Sequence, residues 1–334
     1  MRAEAQSTAG AGRRALLALA VLWLATLLVT PLVGSTPVSL AEVVAGDDTA
    51  ATIFWQLRLP RVLLAIVAGG VLAISGVAFQ TLFGNPLTEP YTLGLSSGAA
   101  LGAVVAIQLL GGSSGAGFLG VAGASFLGAI GVALLVTGIA GSRLGRDSNT
   151  VLLAGIALSL TCSAFILLLQ YLADFTKTFR MVRWMMGGLS VVGFGDVLWV
   201  SPWLVIGGGF LLAQRWELNL LLAGQELAAS RGVDLRRLRV TVLVTVSAMV
   251  GALVAVTGPI GFVGLIVPHA LRPWVGSDHR QLLPAALLAG GAFLALCDAA
   301  ARTILAPAEL PVGILTALLG GPFFLLLLLR RSPR

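Results

Sequence analysis

The stretch GPIGFVGLIVPHALRPWVG, residues 258–276, followed by SDHR at 277–280 and a second apolar run from Leu282 through Phe293, decides how the rest of the chain is read. Its composition is that of lipid-soluble helix, yet Pro259, Pro268 and Pro273 interrupt it. Proline removes a backbone donor and crowds the preceding turn, and groups freed in this way survive at membrane depth only where neighbouring helices or a cavity satisfy them. Interrupted apolar helix is therefore the pattern of a membrane protein that carries something across, and the remaining sequence is read outward from it.

Of 334 residues, 57% are hydrophobic and 10% charged, with mean hydropathy +0.99; an ordinary soluble domain is about 25% charged. Repeated apolar segments of span length exclude a soluble fold. The net charge of +7 comes from short basic clusters between apolar segments. Without a basic stripe or zinc-finger spacing, it marks membrane topology rather than nucleic-acid binding.

A helix needs roughly 20 residues to cross about 30 Å of hydrocarbon. The sequence predicts an all-α polytopic protein, one transmembrane domain over residues 1–334, with ten crossings at 14–33, 57–80, 91–110, 117–140, 149–171, 194–213, 238–257, 259–275, 281–303 and 311–330. The first of these follows Arg13-Arg14 but is longer than a signal-peptide core and lacks a small-x-small cleavage site, so it is expected to be retained. Ten crossings put both termini on one side. With the termini inside, fifteen of the 21 Lys and Arg residues fall on the cytosolic side, as the positive-inside rule requires. The six against that bias are Arg58, Arg61, Lys177, Arg180, Arg183 and Arg302.

The connections differ in chemistry. Residues 111–117, GGSSGAG, form a turn and nothing more. Residues 172–193 carry Lys177, Arg180, Arg183 and Trp184 and read as a short amphipathic helix at the outer mouth. Asn85-Pro86 and Glu89-Pro90 bracket a turn with Glu89 on the cytosolic surface. From Leu220, LLLAGQELAASRGVDLRRLRV alternates Gln225, Glu226, Arg231, Asp234 and Arg237 with Ala and Leu, and Gly224 and Gly232 end short helices. Two short helices off the membrane surface follow. A turn alone needs about five residues, so the surplus argues for docking to a soluble partner.

Catalytic and metal readings find no support. His269 and His279 are the two histidines, and their spacing makes no zinc geometry. Cys162 and Cys297 each sit inside an apolar segment as small packing residues. Asp298, four residues before Arg302, forms an i,i+4 pair on one helix face. No Ser-His-acid arrangement supports hydrolysis, and Lys177, the one lysine, stands in Phe-Thr-Lys-Thr rather than in a Walker A loop. If transport uses ATP, another chain binds it.

Several motifs together resemble the iron-siderophore, haem and vitamin B12 permease family of type II ABC importers. They are Leu57-Arg-Leu-Pro-Arg61, Ser75-Gly-Val-Ala-Phe-Gln80, Leu93-Gly-Leu-Ser-Ser-Gly98, the 258–269 stretch, Asp278-His-Arg280, Asp298 with Arg302, and Glu309-Leu-Pro-Val-Gly313. The resemblance covers about residues 15–331. It implies a homodimer with a translocation path at its two-fold interface, in a bacterial cytoplasmic (inner) membrane, with both termini cytosolic. It also implies two cytosolic ATPase subunits that bind the ATP and Mg, one extracytoplasmic binding protein, and a metal-chelate cargo, with corrinoid as the alternative. No cofactor or metal is expected in this chain, and no enzymatic activity.

By the same resemblance, residues 221–233 are the coupling element, with Leu221, Gly224, Gln225, Glu226, Ala229, Arg231, Gly232 and Val233 meeting the ATPase. Arg58, Arg61 and Arg302 are expected to dock the binding protein. Lys177, Arg180, Arg183, Met186, Gln80, Ser96 and Ser97 are expected at the gate or path. Two other classes stand against this reading: an autonomous secondary transporter, which calls for embedded acids or an inverted repeat, and a structural scaffold, which needs no coupling loop.

Overall fold

The computed structural model describes residues 2–34, 36, 39–45, 47–110, 117–142 and 148–330. Residues 111–116 of the expected glycine-rich turn lie outside the described residues. In chain order, α1 (Arg2–Val29) runs into a 3-10 turn (Thr30–Leu32), and two short helices follow, α2 (Leu40–Val44) and α3 (Asp48–Thr52). A π-type turn (Ile53–Arg58) then leads directly into α4 (Leu59–Leu82). After a 3-10 turn at Pro90–Leu93 come α5 (Leu95–Leu110), α6 (Gly117–Gly141), α7 (Ser148–Leu172) and α8 (Phe175–Met185). The series closes with α9 (Gly195–Ala213), α10 (Arg215–Leu222), α11 (Gln225–Ser230), α12 (Leu235–Thr257), α13 (Val263–Val275), α14 (His279–Thr303) and α15 (Val312–Arg330).

The protein is thus all-α and multi-pass. Every expected crossing holds a helix. Among the described residues, seven stretches are long and apolar enough to span a membrane, including Asp48–Leu82, Asn149–Leu172 and His279–Thr303, while Leu95–Leu110 and Val312–Leu327 are shorter apolar helices. The expected crossing at 259–275 is helical only over α13, whose 13 residues rise about 20 Å, less than the hydrocarbon thickness.

The shortening has a local cause. Gly258 has φ 65°, Pro259 follows, and Phe262 lies in the left-handed region at φ 68°, so the backbone cannot continue as helix from α12 into α13. Freed groups at the break are satisfied by tertiary partners. The Ile260 N–H donates to Tyr91 Oη, and the Thr257 carbonyl accepts from Gly188 N–H at 2.7 Å. Elsewhere aspartates start the helices: Asp174, Asp234 and Asp278 cap α8, α12 and α14 through backbone N–H groups.

Two compact units are distinguished. The first comprises Met1–Val77, Leu189–Leu204 and Gly261–Arg334, and the second Ala78–Gly188 and Val205–Ile260. In the first, α14 packs against α1, α13 and α15. One tight crossing is Gly69 on Gly290, where a Cβ on either residue would collide with the other's carbonyl. Small residues of this kind let helix backbones approach where lipid supplies no hydrophobic drive. In the second unit, α6 packs against α5 and α12. Met181 of α8 is fully buried there with Ala100, Val104, Ile107 and Ile166. Leu127, Leu134, Leu153, Leu160 and Leu167 stay exposed along α6 and α7.

Candidate functional site

The first site forms at the start of α4 and the end of α14. The π-type turn is real in its hydrogen bonding, since the Leu59 N–H reaches back to the Phe54 carbonyl. It places Arg58 in a widened turn, a feature that recurs at functional sites. One turn further on, Arg61 Nε meets Asp298 at 2.9 and 3.2 Å, and its Nη1 meets Glu309 Oε2 at 2.6 Å. Asp298 also receives Arg302 Nε at 3.0 Å. The i,i+4 pair expected from the sequence is therefore present, with Arg61 as a third member.

The other guanidinium donors face the backbone that follows α1. Arg302 donates to the Val33 carbonyl at 2.8 Å and the Thr30 carbonyl at 3.2 Å. Arg58 donates to the carbonyls of Leu32 and Thr36. These carbonyls lie at and just beyond the end of α1, where cations are favoured. The arginines thus tie the exit from α1 to α4 and α14. Arg58, Arg61, Arg302 and Glu309 line one cavity of about 450 Å³, together with Ser190, Val191 and Val192.

Burial grades this cluster. Asp298 is fully buried and the Arg302 side chain is 3% exposed, whereas Arg61 is 12% and Glu309 43% exposed. Arg58 is buried as well. Three cations against two carboxylates leave the cavity net positive, with Glu309 as the acid at its rim.

The second site is the segment between α10 and α12. Two short helices are present as expected, α10 beginning at Arg215 and α11 covering Gln225–Ser230. Gly224 joins them at φ 122°, a conformation that residues with a Cβ avoid. Gln225, Glu226, Ala229, Arg231 and Gly232 are exposed, and Leu221 and Val233 are partly so. Ala228 is fully buried and anchors the loop, its carbonyl accepting the Val233 N–H at 3.0 Å.

The third group of residues lies on and around α8. The amphipathic helix expected in 172–193 is present, capped by Asp174 on Lys177 N–H at 2.9 Å. Lys177 Nζ donates to the Gln108 carbonyl at 3.1 Å, while Arg180, Arg183 and Met186 are exposed. At its far end, Gly187 lies against the Pro259 carbonyl, so α8 is fastened to the break that follows α12. Nothing in the sequence signals that attachment. Gln80 and Ser96 are buried, and Ser97 is partly exposed. Glu89 differs from expectation, because it is buried at 9% exposure rather than solvated; the turn before it is held by Asn85 Oδ1 accepting the Leu87 N–H. His269 packs edge-on against Phe323. Among the described residues no group of three His, Cys, Asp or Glu is placed to hold a metal.

An all-α, multi-pass chain with broken helices, a buried polar cluster and an exposed helical loop has the build of a membrane transport subunit. The comparisons make this specific: residues 18–330 match the FecCD transport family, and the chain belongs to it. It is 41% identical to the hemin transport system permease protein HmuU of Yersinia pestis, over 85% of each chain. It is 39% identical to the vitamin B12 import system permease protein BtuC of Klebsiella pneumoniae, over 96% of this chain and 95% of that one. A solved structure described as an inward-facing conformation of an ABC transporter of proposed metal-chelate type matches with TM-score 0.86 and 34% identity, covering 95% of this chain and 99% of that chain.

Proposed function

We propose that the chain acts as one permease domain that crosses a bacterial cytoplasmic membrane ten times with both termini in the cytosol, pairs as a homodimer, and imports a metal chelate. A ferric siderophore or haem is the cargo favoured, handed over by an extracytoplasmic binding protein. Two ABC ATPase subunits on the cytosolic side bind the ATP and Mg and drive the cycle. The family match over residues 18–330 carries this reading, and likeness to a metal-chelate transporter supports the cargo class. A corrinoid is the second reading, favoured by the identity to the vitamin B12 permease.

Mechanistically, the proposal is alternating access between two global states. Closure of the ATPases moves α10 and α11, with Leu221, Gly224, Gln225, Glu226, Ala229, Arg231, Gly232 and Val233 as the contact, and the motion opens or shuts a path at the two-fold interface. Residues Lys177 to Met186 act at its outer gate. Of the path candidates, Ser97 and Met186 keep exposed atoms, while Gln80 and Ser96 support the path from within the chain.

Arg58, Arg61 and Arg302 form the positive ground of the outer docking surface. Their meeting in one cavity supports that role. Because Arg58 and Arg302 are buried, they act by holding the rim and setting its potential, and Arg61 is the one that meets an acidic partner. Rim charges of this kind set encounter rate and orientation more than total affinity. Reversal of Arg61 to Glu is expected to slow association of the binding protein with the reconstituted dimer at least tenfold; an unchanged association rate removes the docking role.

A further inference from the structure

Beside the segment between α10 and α12 lies a cavity of about 520 Å³. It opens where the apolar helix α9 ends and α10 begins, and Gln214, Glu217, Arg231 and Arg237 line it together with Phe210 and Trp216. Two acceptors there are buried without a hydrogen-bond partner, Glu217 Oε2 and Gln214 Oε1. The amide end of Gln214 is fixed by its donation to Thr241 Oγ1 at 2.9 Å, so its carbonyl oxygen has no freedom to turn away. A buried acceptor left unmade costs about 1–3 kcal/mol, more when charged. The cavity therefore calls for a ligand with N–H donors.

The same cavity is lined by Arg231 and Arg237, both exposed and with guanidiniums suited to bidentate recognition of phosphate. Donor-hungry carboxylate and amide together with phosphate-seeking arginines in one cavity fit a zwitterion that carries both an ammonium and a phosphate. Depth selects the source. Phe210, in the last turn of α9, is 41% exposed and Trp216 57% exposed, the aromatic pattern of a membrane–water boundary. The exposed surface of α11, Gln225–Ser230, by contrast carries no aromatic residue.

We propose that this cavity binds the headgroup of a phosphatidylethanolamine-type lipid, with its ammonium on Glu217 and Gln214 and its phosphate on Arg231 and Arg237. The acyl chains lie along the exposed apolar face at the end of α9. Phosphatidylcholine satisfies the arginines but not the acceptors, because a trimethylammonium has no N–H to donate. Since Arg231 also belongs to the coupling segment, the bound lipid links bilayer composition to the posture of that loop.

The full-length chain, reconstituted in nanodiscs of equimolar phosphatidylethanolamine and phosphatidylcholine, is extracted in mild detergent and its retained lipid quantified by mass spectrometry. Wild type is expected to enrich phosphatidylethanolamine about tenfold, the effect of one charge-assisted hydrogen bond. Glu217→Ala is expected to bring the ratio near parity, and Arg231→Gln with Arg237→Gln to reduce both lipids, each checked for an intact peak by size exclusion. Parity in wild type overturns the proposal, since the acceptors are then met by water alone. Enrichment unchanged in both variants overturns it too. Displacement by soluble phosphoethanolamine at micromolar concentration overturns the lipid as source, because the acyl chains then contribute nothing.

Discussion

Replacement of Asp298 by alanine tests the ion cluster that joins α4 to α14. The carboxylate is fully buried and accepts from Arg61 at 2.9 Å and Arg302 at 3.0 Å. The two cations fare differently without it. Arg61 keeps Glu309 at 2.6 Å and some solvent, whereas Arg302, at 3% exposure, keeps only backbone carbonyls. Removing one partner of a buried pair costs about 3–5 kcal/mol because a charge is left uncompensated. Asp298→Ala should lose that amount, and most of it should arise at Arg302. The double variant Asp298→Ala with Arg302→Ala should then lose less than the sum of the singles by about 1–3 kcal/mol. Equilibrium unfolding of the detergent-solubilised protein by SDS titration reads all four states of the cycle. A single-variant loss within about 0.5 kcal/mol, the range of ordinary surface changes, refutes the reasoning, as does strict additivity.

Three further expectations follow from the geometry. Gly69→Val brings a branched side chain into the Gly290 carbonyl and should abolish recovery of folded protein, while Gly209→Val, where a Cβ meets nothing within 4 Å, should express normally; equal yields, compared by fluorescence-detected size exclusion, count against the crossing. Glu309→Gln removes the one carboxylate at the cavity rim, so an acidic binding protein should associate several-fold faster at low salt, with a steeper salt dependence; a slower rate shows that Glu309 organises Arg61 rather than competes for it. Replacing Glu226 within α11 or Arg231 at its end, both exposed, should leave the dimer assembled but uncouple ATP hydrolysis from uptake, and wild-type coupling in reconstituted vesicles removes those residues from the contact.

Much of this fold is legible in the sequence because lipid leaves few choices. Apolar runs bounded by charges locate the helices, and Gly224, Gly232 and Asp234 punctuate α10, α11 and α12 where the structure has them. The Asp298–Arg302 pair follows from helical spacing alone. Arg61 does not. It stands 237 residues from Asp298 in the chain, and no local pattern reports a contact made by two helices crossing. Phe262 is likewise silent, since a bulky residue at positive φ goes against every local preference and is imposed by packing, its ring filling the space a Cβ on Gly320 would need. Glu89 reads as a surface turn residue for the opposite reason: Asn85-Pro86 explains the turn without revealing that the turn is covered.

Import itself is the central claim, and uptake of radiolabelled cargo tests it most directly. Proteoliposomes holding this chain with its co-purified ATPase and binding protein should accumulate one of haem, a ferric siderophore or cobalamin, with haem or the siderophore expected first. Accumulation should require ATP inside and the binding protein outside. Uptake that proceeds without ATP, or with this chain alone, contradicts the account.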